Sequence, residues 1–299
     1  MSNFEQSTSF QRPSRIRALV PWALAVVLTL ASVVFQRVTG PTYPIRGSYM
    51  LAGEKIRYKL PRSHGGESGA VISIPAPTAD ATGVLRYRRF KVNEPFKETP
   101  LQLEGGHLSA TLPHQPPAGK LEYQLLVNSG AESVFIPCEH TADIRFKGDV
   151  SAWVLVPHIF LMFFGMLLAV RAGIEALQPD ADLRLMAWWA FGLLTAGGML
   201  LGPIVQQQAF GAYWTGVPFD WDLTDNKTLI AFGLWLVACI SIGTRSRPVS
   251  SSVRWLTFAA ALLTIVVFMI PHSMFGSRLD YTKIDQGISS SQSINTQKR

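Results

Sequence analysis

At 299 residues the chain is long enough for two ordinary domains, but only 16% of it is charged while 48% is hydrophobic, the skew of a chain with long lipid-facing stretches. The net charge of +7 concentrates beside apolar runs, at Arg12, Arg15 and Arg17 and again at Arg245, Arg247 and Arg254, which is the placement of membrane orientation signals and argues against a nucleic-acid surface. The two cysteines, Cys138 and Cys239, fall in different environments, so neither a disulfide between them nor a zinc or redox pair is expected.

In chain order, residues 1–17 read as a cytoplasmic N-terminal tail and 18–35 as a transmembrane anchor. A cleaved signal peptide is the alternative for this first run. The long polar leader, the apolar residues Val33 to Phe35 after the small ones and the lack of a clean A-x-A site favour the uncleaved anchor. Residues 36–149 follow as an exported all-β domain. Short alternating runs such as Val71-Ile72-Ser73-Ile74, Leu108-Ser109-Ala110-Thr111-Leu112 and the segments 83–90 and 121–127 are separated by Gly, Pro and Asn turns. A membrane bundle over 150–272 comes next, with spans expected at 150–170, 185–205, 228–242 and 255–270; the fourth needs Leu223 to Asn226 near the headgroups to cross comfortably. Residues 273–299 read as an extracytoplasmic tail, largely disordered from the Ser/Gln-rich stretch onward.

Orientation follows from Lys and Arg in the loops. Arg171, Arg184 and Arg254 belong with the N-terminal arginines, whereas 206–226 holds neither Lys nor Arg. The amino terminus is thus expected in the cytoplasm and the β domain in the periplasm of a bacterial inner membrane.

Candidate chemistry collects at one membrane depth. Pro157-His158 lies a third of the way into the second span and Pro271-His272 ends the fifth, with a loop between them that alternates aromatic and acidic residues: Tyr213, Trp214, Phe219, Asp220, Trp221, Asp222 and Asp225. Two neutral imidazoles and flat aromatic rings are what a haem requires of a protein. A plainer reading stands beside this one. Trp and Tyr gather at bilayer interfaces because they are amphipathic, and a histidine beside proline satisfies a loosened carbonyl. Asp220, Asp222 and Asp225 also suggest oxygen ligands for a hard cation, but no glycine turn or closing glutamate follows at EF-hand spacing. Asp225 or Thr224 is instead expected to cap the fourth helix, with Lys227 paired to a neighbouring carboxylate. The basic run Arg86, Arg88, Arg89 and Lys91 reads as a charged edge strand.

Two resemblances attach to these residues. The stretch from Gly106 through Leu112-Pro113 to Glu122-Tyr123 resembles immunoglobulin-like and fibronectin-type domains of bacterial envelope proteins, which implies a β-sandwich. Trp221-Asp222 with Asp225 and the apolar helix from Leu229 resembles the tryptophan-rich loop of the haem-handling family of cytochrome c assembly. That likeness covers about twenty residues, with Leu223 where the family usually has proline, and implies cofactor-binding roles for His158, His272, Trp214 and Trp221; Asp222, Asp225 and Lys227 read either as structural or as the rim of that site. The sequence therefore yields a non-enzymatic expectation: a membrane-anchored binding or assembly component whose partners are the lipid bilayer and an envelope protein or a second copy. No cofactor is firmly implied. The alternative is a haem- or quinone-associated protein in electron transfer or cofactor delivery.

Overall fold

The computed structural model describes residues 15–244, 248–272, 274, 276 and 278–295, apart from the side chains of 15–18 and 295; Arg12, Arg245 and Arg247 lie outside it, as do the side chains of Arg15 and Arg17. The chain opens with α1 (Arg15–Thr39) and passes into eleven strands: β1 (Ile45–Leu51), β2 (Glu54–Leu60), β3 (Ser63–Gly65), β4 (Ala70–Pro75), β5 (Thr82–Arg89), β6 (Lys97–Pro100), β7 (Gln102–Glu104), β8 (His107–Leu112), β9 (Lys120–Ser129), β10 (Glu132–Ile136) and β11 (Ala142–Lys147). All four runs expected from alternation are strands.

The reason is visible along β9. Leu121, Tyr123, Leu125 and Val127 are buried while the residues between them are half-buried, the period-2 pattern of a strand with one face on a core. β9 pairs with β5 along one edge; along the other it pairs first with β11 and then with β10. β6 extends the sheet beyond β5, and β3 runs parallel to β11. A second sheet has the order β4-β8-β7, and β1-β2 form a hairpin. Ile72 and Ile74 of the second sheet, Leu60 of the hairpin and Leu85, Leu125 and Phe146 of the first meet in one apolar core. Arg86, Arg88 and Arg89 therefore do not sit on an edge strand. β5 lies inside the sheet, and its arginines are held by Glu98, Glu122 and Glu94. Alternation alone does not reveal a strand's neighbours, so an interior strand paired by charges looks like an edge.

The helical half comprises α2 (Ala152–Ala176), α3 (Arg184–Leu194), a π-helical segment (Thr195–Leu201), α4 (Gly202–Phe210), α5 (Leu223–Ile242) and α6 (Ser251–Met269). The run from α3 through α4 is continuous, so with α1 there are, among the described residues, five helices long and apolar enough to cross a membrane. At 1.5 Å per residue, the 20 residues of α5 reach about 30 Å, the thickness of a bilayer's hydrocarbon core.

The bundle core is built from small residues, among them Ala172, Ala187, Ala190, Ala238, Ala260 and Ala261. Gly173 shows why: a Cβ there would lie 2.5 Å from that of Ala261, so α2 and α6 pack at backbone distance. Large apolar side chains point outward instead, including Val156, Phe160, Leu200, Ile240 and Leu262. Of the eight tryptophans only Trp235 is fully buried, where its indole donates to Thr264 Oγ1 at 2.8 Å. Trp22, Trp188, Trp189 and Trp255 lie near one end of the bundle, Trp153, Trp214 and Trp221 near the other, as interfacial belts require.

Residues 278–295, expected to belong to a largely disordered tail, are ordered. β12 (Arg278–Leu279) pairs with β13 (Ile294–Asn295), with α7 (Tyr281–Asp285) and a 3₁₀ turn (Ser290–Ser293) between them. Tyr281 is buried against the β domain; its hydroxyl accepts from Lys120 N at 3.1 Å and donates toward Gln115 Oε1 at 2.9 Å. Composition suggests disorder here because the anchoring contacts are to residues far away in sequence, 161 positions for Lys120 and 166 for Gln115.

Candidate functional site

The C-terminal ends of α1, α4 and α6 and the N-terminal ends of α2 and α5 meet at one rim, beside the β domain. Gln36 Nε2 of α1 donates to Phe268 O at 2.5 Å, and Lys227 Nζ of α5 donates to Ile270 O at 2.6 Å. Gly148 N donates to Ala209 O at 2.9 Å and Ser151 N to Gln208 Oε1 at 2.8 Å, which ties the last strand of the β domain to the end of α4. At the opposite end, Arg254 donates to the carbonyls of Gln178 at 2.6 Å and Ala181 at 2.7 Å, satisfying the chain as it leaves α2.

The loop from Gly211 to Asp222 is fastened to the first turn of α5. Asp222 caps this helix by accepting from Thr224 N at 2.8 Å, so the cap is neither Thr224 nor Asp225. Asp225 is buried and faces back into the loop, where one oxygen accepts from Thr215 N at 2.6 Å and from Gln206 Nε2 at 3.1 Å. Asn226 Oδ1 accepts from Val217 N at 2.7 Å. Gly216 permits this approach, since a Cβ there would stand 2.6 Å from that of Asp225. The negative side chains favour the positive end of α5, and the carboxylates exchange water for donors from the loop.

Lys227 is also buried, but its direct contact is the Ile270 carbonyl rather than a carboxylate. A capping carboxylate engaged by backbone N–H groups has no short path to a lysine one turn further along, and the carbonyl released where α6 ends is nearer. On the β-domain side of the rim, Arg145 of β11 is buried with its guanidinium 4.0 Å from the centre of the Phe210 ring. Burial lowers the Arg145 pKa to about 10, with Asp222 pulling it up and Arg278 down. It stays charged at neutral pH.

The two histidines come to this same rim. His158 Nδ1 meets Gly197 O of the π-helical segment at 2.9 Å. A carbonyl only accepts, so Nδ1 carries the proton and Nε2 of the neutral ring keeps its lone pair. The carbonyl is available because a π-helical turn disturbs the regular i to i−4 ladder. His272 follows α6 and is exposed, with Lys227 and His158 near enough to act on its charge.

Trp214 is half-buried and donates from Nε1 to Val217 O at 3.1 Å, whereas Trp221, Phe219 and Tyr213 are exposed beside it. The rim thus gathers His158, His272, Asp222, Asp225 and Lys227, while Trp221 stands on its outer surface. Among the described residues no three His, Cys, Asp or Glu side chains gather to hold a metal ion, and Asp220 does not join Asp222 and Asp225 in a cation cage. Arg145, Gln206, Thr215 and Asn226 are site residues that sequence reasoning missed. The signal for one of them was available: Gln206 opens the polar triplet Gln206-Gln207-Gln208 within an otherwise apolar helix.

Five helices able to cross a membrane and a β-rich domain mounted on their rim have the make-up of a multi-pass membrane protein. No protein-family model matches the chain, and no curated protein matches it.

Proposed function

We propose that the chain is an integral protein of a bacterial inner membrane that acts, without catalysing a reaction, as a binding or assembly component of an envelope complex. The N-terminus is cytoplasmic and the β domain, an immunoglobulin-like sandwich, is periplasmic, where it engages another envelope protein or a second copy. The observation that carries this reading is the mount between the two halves. Gly148 and Ser151 are bonded to the end of α4, Arg145 stacks on Phe210, and the C-terminal segment packs on both sides of the junction, with Tyr281 at Lys120 and Ile294 against Gly211. A domain held this way presents its surface at a fixed height and angle, which lowers the ordering cost of docking. Orientation rests on Arg184 and Arg254, which lie at the bundle end away from the β domain.

A photo-crosslinking side chain at Val71, Leu103 or Phe135, each an exposed apolar position of the β domain, tests this in native membranes. A discrete protein adduct from at least one position is the expected result. Adducts to no protein from any of the three contradict it.

The histidine geometry favours a second reading, a haem- or quinone-associated protein. His158 donates from Nδ1 to a carbonyl and so offers Nε2, the arrangement that orients ligating imidazoles elsewhere, and His272 is near it. His158 and His272 would hold the group, and Trp214 and Trp221 would flank it. Soret absorbance after haem supplementation of the detergent-purified protein separates the readings: a band lost in the His158→Ala, His272→Ala double variant supports haem, and no band, or an unchanged one, removes it.

A further inference from the structure

We propose that the crevice between the β domain and the C-terminal segment is a binding site for a phosphate group, formed by Lys91, Lys120 and Arg278 around Phe90. The crevice is lined by these four residues with Ala118, Leu279 and Tyr281. Lys120 Nζ lies 5.2 Å from the centre of the Phe90 ring, Arg278 Cζ 5.6 Å and Lys91 Nζ 5.9 Å. No two of these charges can then be further apart than about 11.5 Å, the two longer distances end to end. That upper bound is close to the roughly 8–10 Å over which charges are screened at physiological salt, so the three cations still feel one another in part.

The carboxylates nearby are committed elsewhere. Asp143 lies 3.6 Å from Lys120 but makes its closer contact with Arg62, and Glu94 and Asp285 are held by Arg89. Lys91 and Arg278 form no ion pair with a described residue. Three cations around one ring, with no acid among the described lining residues and only Asp143 within ion-pair distance of Lys120, make a positive well that an oxyanion would neutralise.

Backbone geometry supplies an independent sign of construction. Lys91 has φ 59° and Ala118 φ 69°, so two wall residues with side chains hold the left-handed conformation that favours glycine. Such strain persists where surrounding structure holds it, and it concentrates at ligand clamps. The third wall is the C-terminal segment, whose Leu279 N donates to Ala118 O at 3.2 Å, placing Arg278 opposite Lys120.

Position narrows the source of the phosphate. Lys120 pairs directly with Arg145, the residue stacked on Phe210 at the bundle rim, so the crevice lies one strand from that rim, which on the membrane reading proposed above faces the lipid headgroups. An anionic lipid can reach it from the membrane, and free phosphate can reach it from water.

The full-length protein in detergent tests this by thermal-shift titration with phosphatidylglycerol, with phosphatidylcholine and with inorganic phosphate. Saturable stabilisation by phosphatidylglycerol beyond phosphatidylcholine, weakened roughly tenfold or more by Lys91→Ala or Arg278→Ala, is the expected outcome and assigns the lipid. Stabilisation by inorganic phosphate with the same sensitivity supports the site and assigns the free ion. Stabilisation by neither anion, or binding that both variants leave unchanged, overturns it. Both substituted side chains are partly exposed, and Lys91→Gln and Arg278→Gln, read by native mass spectrometry of bound lipid, keep the test decisive if an alanine variant does not fold.

Discussion

The β domain and the helical bundle bury opposite kinds of side chain. In the β domain Leu60, Ile72, Leu85, Leu125 and Phe146 are wholly inside, and the charged residues of β5 are paired on the surface. In the bundle alanines predominate at the centre, around Trp235, Leu183, Leu194 and Ile242, while Trp153, Phe160, Leu200 and Leu262 face outward. The same chain thus follows two rules, one for water and one for an apolar solvent. Where the rules meet, at the rim, the buried charges Arg145, Asp222, Asp225 and Lys227 collect. The difference teaches that "core" must be defined against the medium: outside water, large apolar residues gain nothing by turning inward, and close backbone packing decides the interior instead.

Equal truncations in the two halves should break or sharpen this contrast. Ile72→Ala is expected to cost the β domain about 2–5 kcal/mol, whereas Leu200→Ala should change bundle stability by less than about 0.5 kcal/mol; denaturant unfolding in detergent measures both. Inserting a charge inverts the order. Leu262→Lys should reduce insertion by about 2.5–3.5 kcal/mol on a translocon assay, while Val71→Lys, equally exposed but in water, should stay within about 0.5 kcal/mol by unfolding. Over-packing the helix contact with Gly173→Leu should cost about 1–3 kcal/mol and lower the yield of monodisperse protein, because α2 cannot move away from Ala261 without losing its other contacts.

Effects at the rim are smaller. Asp222→Ala removes the cap of α5 and should cost about 1 kcal/mol, read as a lower melting temperature that Asp222→Asn largely restores. The last effect depends on pH. Burial lowers the Lys120 pKa to about 8, opposed by Asp143 and reinforced by Arg145, Arg278 and Arg62. Folding therefore carries a penalty, complete below pH 8, that fades as pH rises toward the ordinary lysine value, because the folded state releases its proton first. Phosphate affinity should move the other way, falling as pH rises past about 8, and a titration at pH 7 and pH 9.5 checks the sign.

Much of the fold was legible in the sequence because it is written in local periodicity. β9 shows its alternation, and the spans show their length. The 195–201 turn was not legible, since nothing local marks which carbonyl a distant His158 will take. Nor was the interior position of β5, which depends on β6 and β9. Lys227 misled for a similar reason: adjacency to Asp222 and Asp225 suggested an ion pair, while the Ile270 carbonyl that holds it lies 43 residues away. The order in 278–295 rests on Tyr281 and Lys120 finding each other across 161 positions. The rim residues His158, His272, Asp222, Asp225 and Lys227 could be singled out because polar residues beside apolar helices stand out, but their contacts with Gln206, Thr215 and Asn226 required the fold.

The central claim, two solvents for one chain, is tested most directly by spin labels at Val71→Cys and Leu262→Cys in a Cys138→Ser, Cys239→Ala background, reconstituted in vesicles. Collision with dissolved oxygen and with a water-soluble nickel chelate is then compared at the two sites. The account predicts that the label at 262 meets oxygen and excludes nickel, and that the label at 71 meets nickel freely. Equal access of the nickel chelate to both labels would contradict it.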